Sequence, residues 1–194
     1  TIYHAAINSD GSIGSWQTSA VSLPAARCGH TAVYCNGYIY VAGGAGDTTS
    51  TAAVNTVYYA KVLADNTLSS FSTTTSLPAA RNGHSMVRDN DDIYVLGGFA
   101  NGGADVSTVY KATSGADGTL SVWSAETALP VNVSRHSSAV INGIITVLAG
   151  EAGGTATKSV YFANIKSSPL VWNAGSDMYD YTMNGAAFSA NGQI

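Results

Sequence analysis

A short segment returns along the chain at a fixed spacing. Leu23-Pro24-Ala25-Ala26-Arg27-Cys28-Gly29-His30 comes back 54 residues later as Leu77-Pro78-Ala79-Ala80-Arg81-Asn82-Gly83-His84. It returns after 52 more, degraded to Leu129-Pro130 and His136. Tyr3, Tyr58, Tyr110 and Tyr161, each behind an Ile or Val, keep the same beat. So do Trp16, Phe71, Trp123 and Trp172; the first three trail their Tyr by 13 residues and the last by 11. Self-similarity at this period means one supersecondary unit used repeatedly, each copy burying its apolar face against the next. The 194 residues are therefore read as stacked units and not as one ordinary domain.

Each unit reads as four short strands, A to D. Strand A spans His30 to Tyr34, His84 to Arg88 and His136 to Ile141, with small side chains suited to a crowded place near an axis. Asn36-Gly37, Asn90-Asp91 and Asn142-Gly143 follow; Asn-Gly supplies the positive φ values of a type I′ hairpin turn. Strand B is the apolar run Tyr38 to Ala42, Ile93 to Leu96 and Ile144 to Leu148. Gly43-Gly44, Gly97-Gly98 and Ala149-Gly150 close it. Strand C carries the Tyr marker, and Asp10-Gly11, Asp65-Asn66 or Asp117-Gly118 turns the chain into strand D, which holds the aromatic. No helical periodicity appears.

Four antiparallel strands repeated about every 50 residues predict an all-β fold, a β-propeller of four-stranded blades. An apolar strand ending in Gly-Gly, then Tyr, then Trp at a set spacing resembles the kelch repeat. That resemblance covers nearly the whole chain. It implies a propeller and a binding scaffold, with enzymes such as copper oxidases and sugar isomerases as rarer members. Their ligand motifs do not align here, so the resemblance stays at the level of fold.

The repeats set the expected organisation. Residues 1–22 supply strands C and D of an incomplete blade; 23–76, 77–128 and 129–177 are full repeats; 178–194 begin another, with Gly185 in the His position, Asn191-Gly192 as the turn, and Ile194 in mid-strand. A segment of a longer propeller is expected, its open edge completed by missing blades or another chain. Closure of the two ends into a fourth blade is the alternative.

Charged residues make up only 10% of the chain against 45% hydrophobic, with a formal charge of -4. Disorder is excluded, and no basic footprint for nucleic acid exists. No apolar run reaches the roughly 18 residues of a membrane span. The Ser-, Thr- and Tyr-rich surface suits an extracellular or cell-surface setting. Cys28 and Cys35 lie roughly 23 Å apart in one extended strand, beyond the roughly 7 Å limit of a bridge.

Strand alternation places the B–C loops and D–A connections on one face. This face is the expected ligand-binding face, with Arg27, Asp47, Thr48, Arg81, Asn101, Asp105 and Glu151 as candidates and a protein or glycan as partner. The B–C connections are read as loops Ala45 to Thr56, Phe99 to Thr108 and Glu151 to Lys158. His30, His84 and His136 recur once per blade; this favours backbone hydrogen bonds between blades over a shared metal. Tyr38, Tyr40, Tyr58, Tyr59 and Tyr94 are read as packing and not as sugar platforms. Asp89-Asn90-Asp91-Asp92 sits in a hairpin turn, where calcium is a minor alternative, and Asn132-Val133-Ser134 is a glycosylation triplet. No nucleophile elbow, phosphate loop or zinc spacing occurs. No catalytic residue, metal or cofactor is expected. A non-catalytic binding or assembly module is the leading reading. An enzyme completed by missing blades and a structural subunit of a filament or coat are the alternatives.

Overall fold

The computed structural model describes residues 1–46, 52–187 and 193–194. Two short strands, β1 (Tyr3–His4) and β2 (Gln17–Thr18), form an N-terminal hairpin. Three four-stranded antiparallel sheets follow. The first contains β3 (Thr31–Cys35), β4 (Tyr38–Ala42), β5 (Val57–Lys61) and β6 (Ser72–Thr74). A two-residue strand, β7 (Arg81–Asn82), leads into the second. This comprises β8 (Ser85–Asp89), β9 (Asp92–Leu96), β11 (Val109–Thr113) and β12 (Ser124–Glu126), with β10 (Phe99–Ala100) leaving it to pair with β7. The third contains β13 (Ser137–Ile141), β14 (Ile144–Ala152), β15 (Thr155–Asn164) and β16 (Trp172–Ala174). The chain is all-β, as the repeats predict. Among the described residues no ladder joins the N-terminal hairpin to the C-terminal segment.

The hairpin turns fall where the sequence puts them, with Asn36, Asn90 and Asn142 all near φ +51°. Strand A starts one residue after each His. The outer aromatic sits just before strand D, except Trp172, which opens it. The expected loop Glu151 to Lys158 is instead ladder. β14 and β15 continue past a bulge between Leu148 and Gly150, and turn at Gly153-Gly154, with φ of 59° and 78°. The connection is short enough for the strands to stay paired, and Gly-Gly supplies the turn.

Neighbouring sheets are joined at three depths. Near the axis, Nε2 of His84 shares a 2.8 Å hydrogen bond with the Thr31 hydroxyl of the preceding sheet. His136 does the same with Ser85 at 2.7 Å. The expected backbone bonds are thus replaced by hydroxyl bonds, because Thr31 and Ser85 stand one residue after the preceding His. Backbone bonds accompany them: Gly83 N–H to Gly29 C=O, Arg135 to Gly83, and Asn184 to Arg135. Next, the strand B glycines let two backbones touch. A Cβ on Gly43, at φ +60°, would lie 2.5 Å from the Arg81 carbonyl oxygen and 2.8 Å from the His84 ring. Gly97 stands alike to Val133 and His136. Outermost, the Trp123 indole donates to the Thr75 carbonyl at 2.9 Å, and Trp172 to Thr127 at 3.0 Å.

The apolar cores lie between sheets. Tyr38, Tyr40 and Val57 of the first pack against Ile93, Val95, Leu120 and Trp123 of the second. Val87, Tyr94, Leu96 and Val109 of the second pack against Ile145, Val147 and Ala163 of the third. The Tyr40 hydroxyl lies 2.6 Å from Ser114 Oγ and donates to the Gly118 carbonyl; burial pushes its pKa up to about 12. Neither cysteine is in a disulfide.

Burial pushes the His84 pKa down to about 3 and the His136 pKa to about 4, from an ordinary 6.5. Below pH 6.5 the unfolded chain therefore binds protons that the folded chain refuses. The stabilisation by these two neutral rings is complete above pH 6.5. It falls through the window from 6.5 toward 4 and 3, by about 1.4 kcal/mol per pH unit for each ring. Thermal melts at pH 7.5 and 5 should show a Tm lower by several degrees at pH 5, and the double variant H84Q/H136Q should lose most of that dependence.

Candidate functional site

The loop-bearing face is where the repeats diverge. Arg27 and Arg81 do not project from it. The Arg27 guanidinium donates to the carbonyls of Gly43 (2.9 Å) and Thr56 (3.4 Å) and lies 4.3 Å from the centre of the Tyr58 ring. Arg81, 1% exposed, donates to Gly97 C=O and Thr108 Oγ1 and covers Tyr110 at 4.6 Å. Each ties the end of strand B to the start of strand C within its own blade. Desolvation pulls both guanidinium pKa values down, against the nearby tyrosines. Asp47 and Thr48 lie outside the described residues. Asn101 is exposed at the tip of a tight turn that Ala100 and Ala104 close.

Asp105 and Glu151 come together with two residues that the candidate set lacks. Asp105 Oδ2 accepts the Gly153 N–H at 2.7 Å, joining the second and third B–C connections. Glu151, 9% exposed, forms an ion pair with Arg135. The Arg135 guanidinium also lies 4.9 Å from the Phe99 ring centre. Beneath them, Ser134 and Glu151 exchange both backbone hydrogen bonds. The Ser134 hydroxyl and Asp105 Oδ1 are buried with no hydrogen-bond partner among the described residues.

Arg135 is the departure that makes this site. It stands in the slot of Gly29 and Gly83, where the backbone is left-handed; its own φ is +51°. A side chain there costs about 1–2 kcal/mol that glycine does not. Glu151 stands in the slot of Ala45 and Phe99, directly after the strand B glycine. Opposite charges thus occupy two departures of the same repeat. Slot-by-slot alignment of the repeats exposes both departures. Arg135 borders an open basin of about 420 Å³ at the axis, lined also by Thr31, Ser85, Ser137, Ser138 and Asn184. The basin offers hydroxyls and one half-exposed guanidinium.

The opposite face is self-satisfied. Asp10, Asp65 and Asp117 accept the hydroxyl and amide of Ser12, Thr67 and Thr119, and these bonds hold the carboxyls below their ordinary pKa. At the 89–92 turn, Asp92 pairs with Lys111 at 2.6 Å and accepts from the Thr113 hydroxyl, while Asp89 accepts from Asn90. Among the described residues no group of three His, Cys, Asp or Glu is placed to hold a metal.

Residues 18–180 match the model of the KLHDC2/KLHL20/DRC7 Kelch-repeats domain. Solved structures match in fold across 161 chains. Among them the structure of YjhT superposes with a TM-score of 0.74 at 14% identity, covering 98% of this chain and 70% of that one. No curated protein sequence matches.

Removing one partner of the ion pair should be asymmetric. Arg135→Ala keeps the backbone strain and strands a buried carboxylate, at about 1–3 kcal/mol. Glu151→Ala leaves a guanidinium that reaches water and should cost less. R135G/E151A restores the pattern of the first repeat and should return to wild-type stability within about 0.5 kcal/mol. Urea unfolding of the four proteins checks the order.

Proposed function

The chain belongs to the kelch-repeat family, and from that premise we propose that it is a non-catalytic binding module whose B–C loop face engages a protein or glycan partner. Kelch propellers commonly bind proteins. The observation that carries the reading is the Arg135–Glu151 pair beside Phe99, its arginine on the wall of the axial basin. A structural repeat has no need of it, since the first and second repeats hold their blades with Gly29 or Gly83 in the same slot. A left-handed arginine and an orphaned buried hydroxyl are local costs of the kind that gather at binding sites. Arginine beside an aromatic ring and a carboxylate is suited to a polar partner with hydrogen-bonding groups, such as a peptide backbone or a sugar.

We place the module outside the cell or on its surface. The support is a surface with few charges, rich in hydroxyls, with 10% charged residues in the chain. Binders selected from a random-peptide display library and a glycan array, both probed with the same protein, test the proposal. At least one class of binder should be lost in Phe99→Ala and in R135G/E151A and retained in Asp65→Asn on the opposite face. Binders indifferent to the first two variants would move the site elsewhere.

A further inference from the structure

Asparagine followed by glycine is a reactive pair as well as a turn signal. The glycine nitrogen, with no side chain beside it, can attack the asparagine side-chain amide and close a cyclic imide. Six such pairs occur in the chain, at Asn36, Asn82, Asn101, Asn142, Asn184 and Asn191. The first five lie among the described residues, and the fold treats one of them differently. Asn36, Asn142 and Asn184 are left-handed, with φ of 52°, 51° and 56°. In that region ψ is about +47°, which sets the following nitrogen on the opposite side of the Cα–C bond from the side chain. Ladder pairs Cys35–Tyr38 and Ile141–Ile144 flank the first two turns, so leaving that conformation opens a hairpin. The Asn184 N–H is held by the Arg135 carbonyl. Asn82 is 2% exposed, and the nitrogen after it donates to the Gly29 carbonyl at 2.8 Å.

Asn101 meets none of these obstacles. It is exposed and outside the left-handed region, in a turn closed by the Gly103 N–H on the Ala100 carbonyl at 3.0 Å. Neither the Asn101 side chain nor the Gly102 N–H makes a hydrogen bond among the described residues. A Cβ on Gly102 would meet nothing within 4 Å, so the ring has room. We infer that Asn101 is a site of spontaneous deamidation on the loop face. The Gly102 nitrogen bonds to Asn101 Cγ and loses its proton; the bond from Cγ to the amide nitrogen breaks and ammonia leaves. Water then opens either carbonyl of the imide, giving aspartate or isoaspartate. The product adds a carboxylate to the connection that carries Phe99 and Asp105, and the isoaspartyl form lengthens the main chain of its turn. This is a one-way, time-dependent change of the face, and it stands whether or not that face binds a partner.

The whole chain, folded and in urea, is aged at mildly alkaline pH. The Asn-Gly peptides are followed by mass spectrometry, with isoaspartyl methyltransferase as the probe for isoaspartate. In the folded chain Asn101 should convert about tenfold or more faster than Asn36, Asn82, Asn142 or Asn184, the ratio set by about 1.4 kcal/mol of local opening at each of those. In urea the difference should disappear. Asn101→Gln, whose longer side chain does not close the same ring, should remove the first acidic form to accumulate on ion exchange. Two results would overturn the inference. Equal rates in the folded chain would remove the selectivity, and the same ranking in urea would assign it to local sequence and not to the fold.

Discussion

The fold depends on how closely one blade can approach the next. At each junction a histidine ring lies against the backbone of the preceding blade, over a glycine that leaves no space for a methyl group. The ring keeps a hydroxyl partner, so its burial leaves one nitrogen satisfied, and the low pKa values of His84 and His136 follow from that burial. The Gly-Gly pair, the small innermost side chains and the hydroxyl after each histidine are all consequences of this contact. The indole bonds at the rim only extend it outward. The third repeat shows the logic by exception. Ala149 takes the first glycine slot at φ +54°, and the residue aligned with the histidines in the following segment is Gly185, which brings no ring.

The proposed binding site lies where the repeat is broken. Residues common to the blades, Arg27 and Arg81 included, are occupied by the scaffold, as their carbonyl and ring contacts show. Arg135 and Glu151 pair with each other, and Arg135 borders an open basin. In the proposed reading the shared positions hold the blades and the departures carry recognition.

Much of the architecture was legible in the sequence because turns and periodicity are local. Asn36-Gly37 and Asn142-Gly143 announce their hairpins, and the aromatic beat announces the blade. The partners of side chains were less legible, because they lie in the neighbouring repeat. His84 meets Thr31, 53 positions away, and nothing local marks Thr31 as its partner. The candidate site was half legible. Asp105 and Glu151 were found as acidic residues on the loop side. Arg27 and Arg81 lie on the D–A connections of the same side, which makes them ligand candidates and equally partners for backbone; their guanidinium groups turn inward to backbone carbonyls of their own blades. Arg135 is less legible, because a charged residue at a glycine position stands out only when the repeats are aligned slot by slot. The paired extension of β14 and β15 is not legible as strand, since Gly-rich sequence signals a turn without saying how long the strands around it stay paired.

The most direct test of the junction as the organising contact is a double-mutant cycle on Ser85 and His136, both buried at the second junction. Ser85→Ala, His136→Ala and the double variant are compared with the unmodified chain by urea unfolding at pH 7.5. A coupling energy of about 1 kcal/mol or more is predicted, because either single change leaves the other polar group buried alone. Single effects that add to within about 0.3 kcal/mol would contradict the account, since the ring would then be filling space and not bonding one blade to the next.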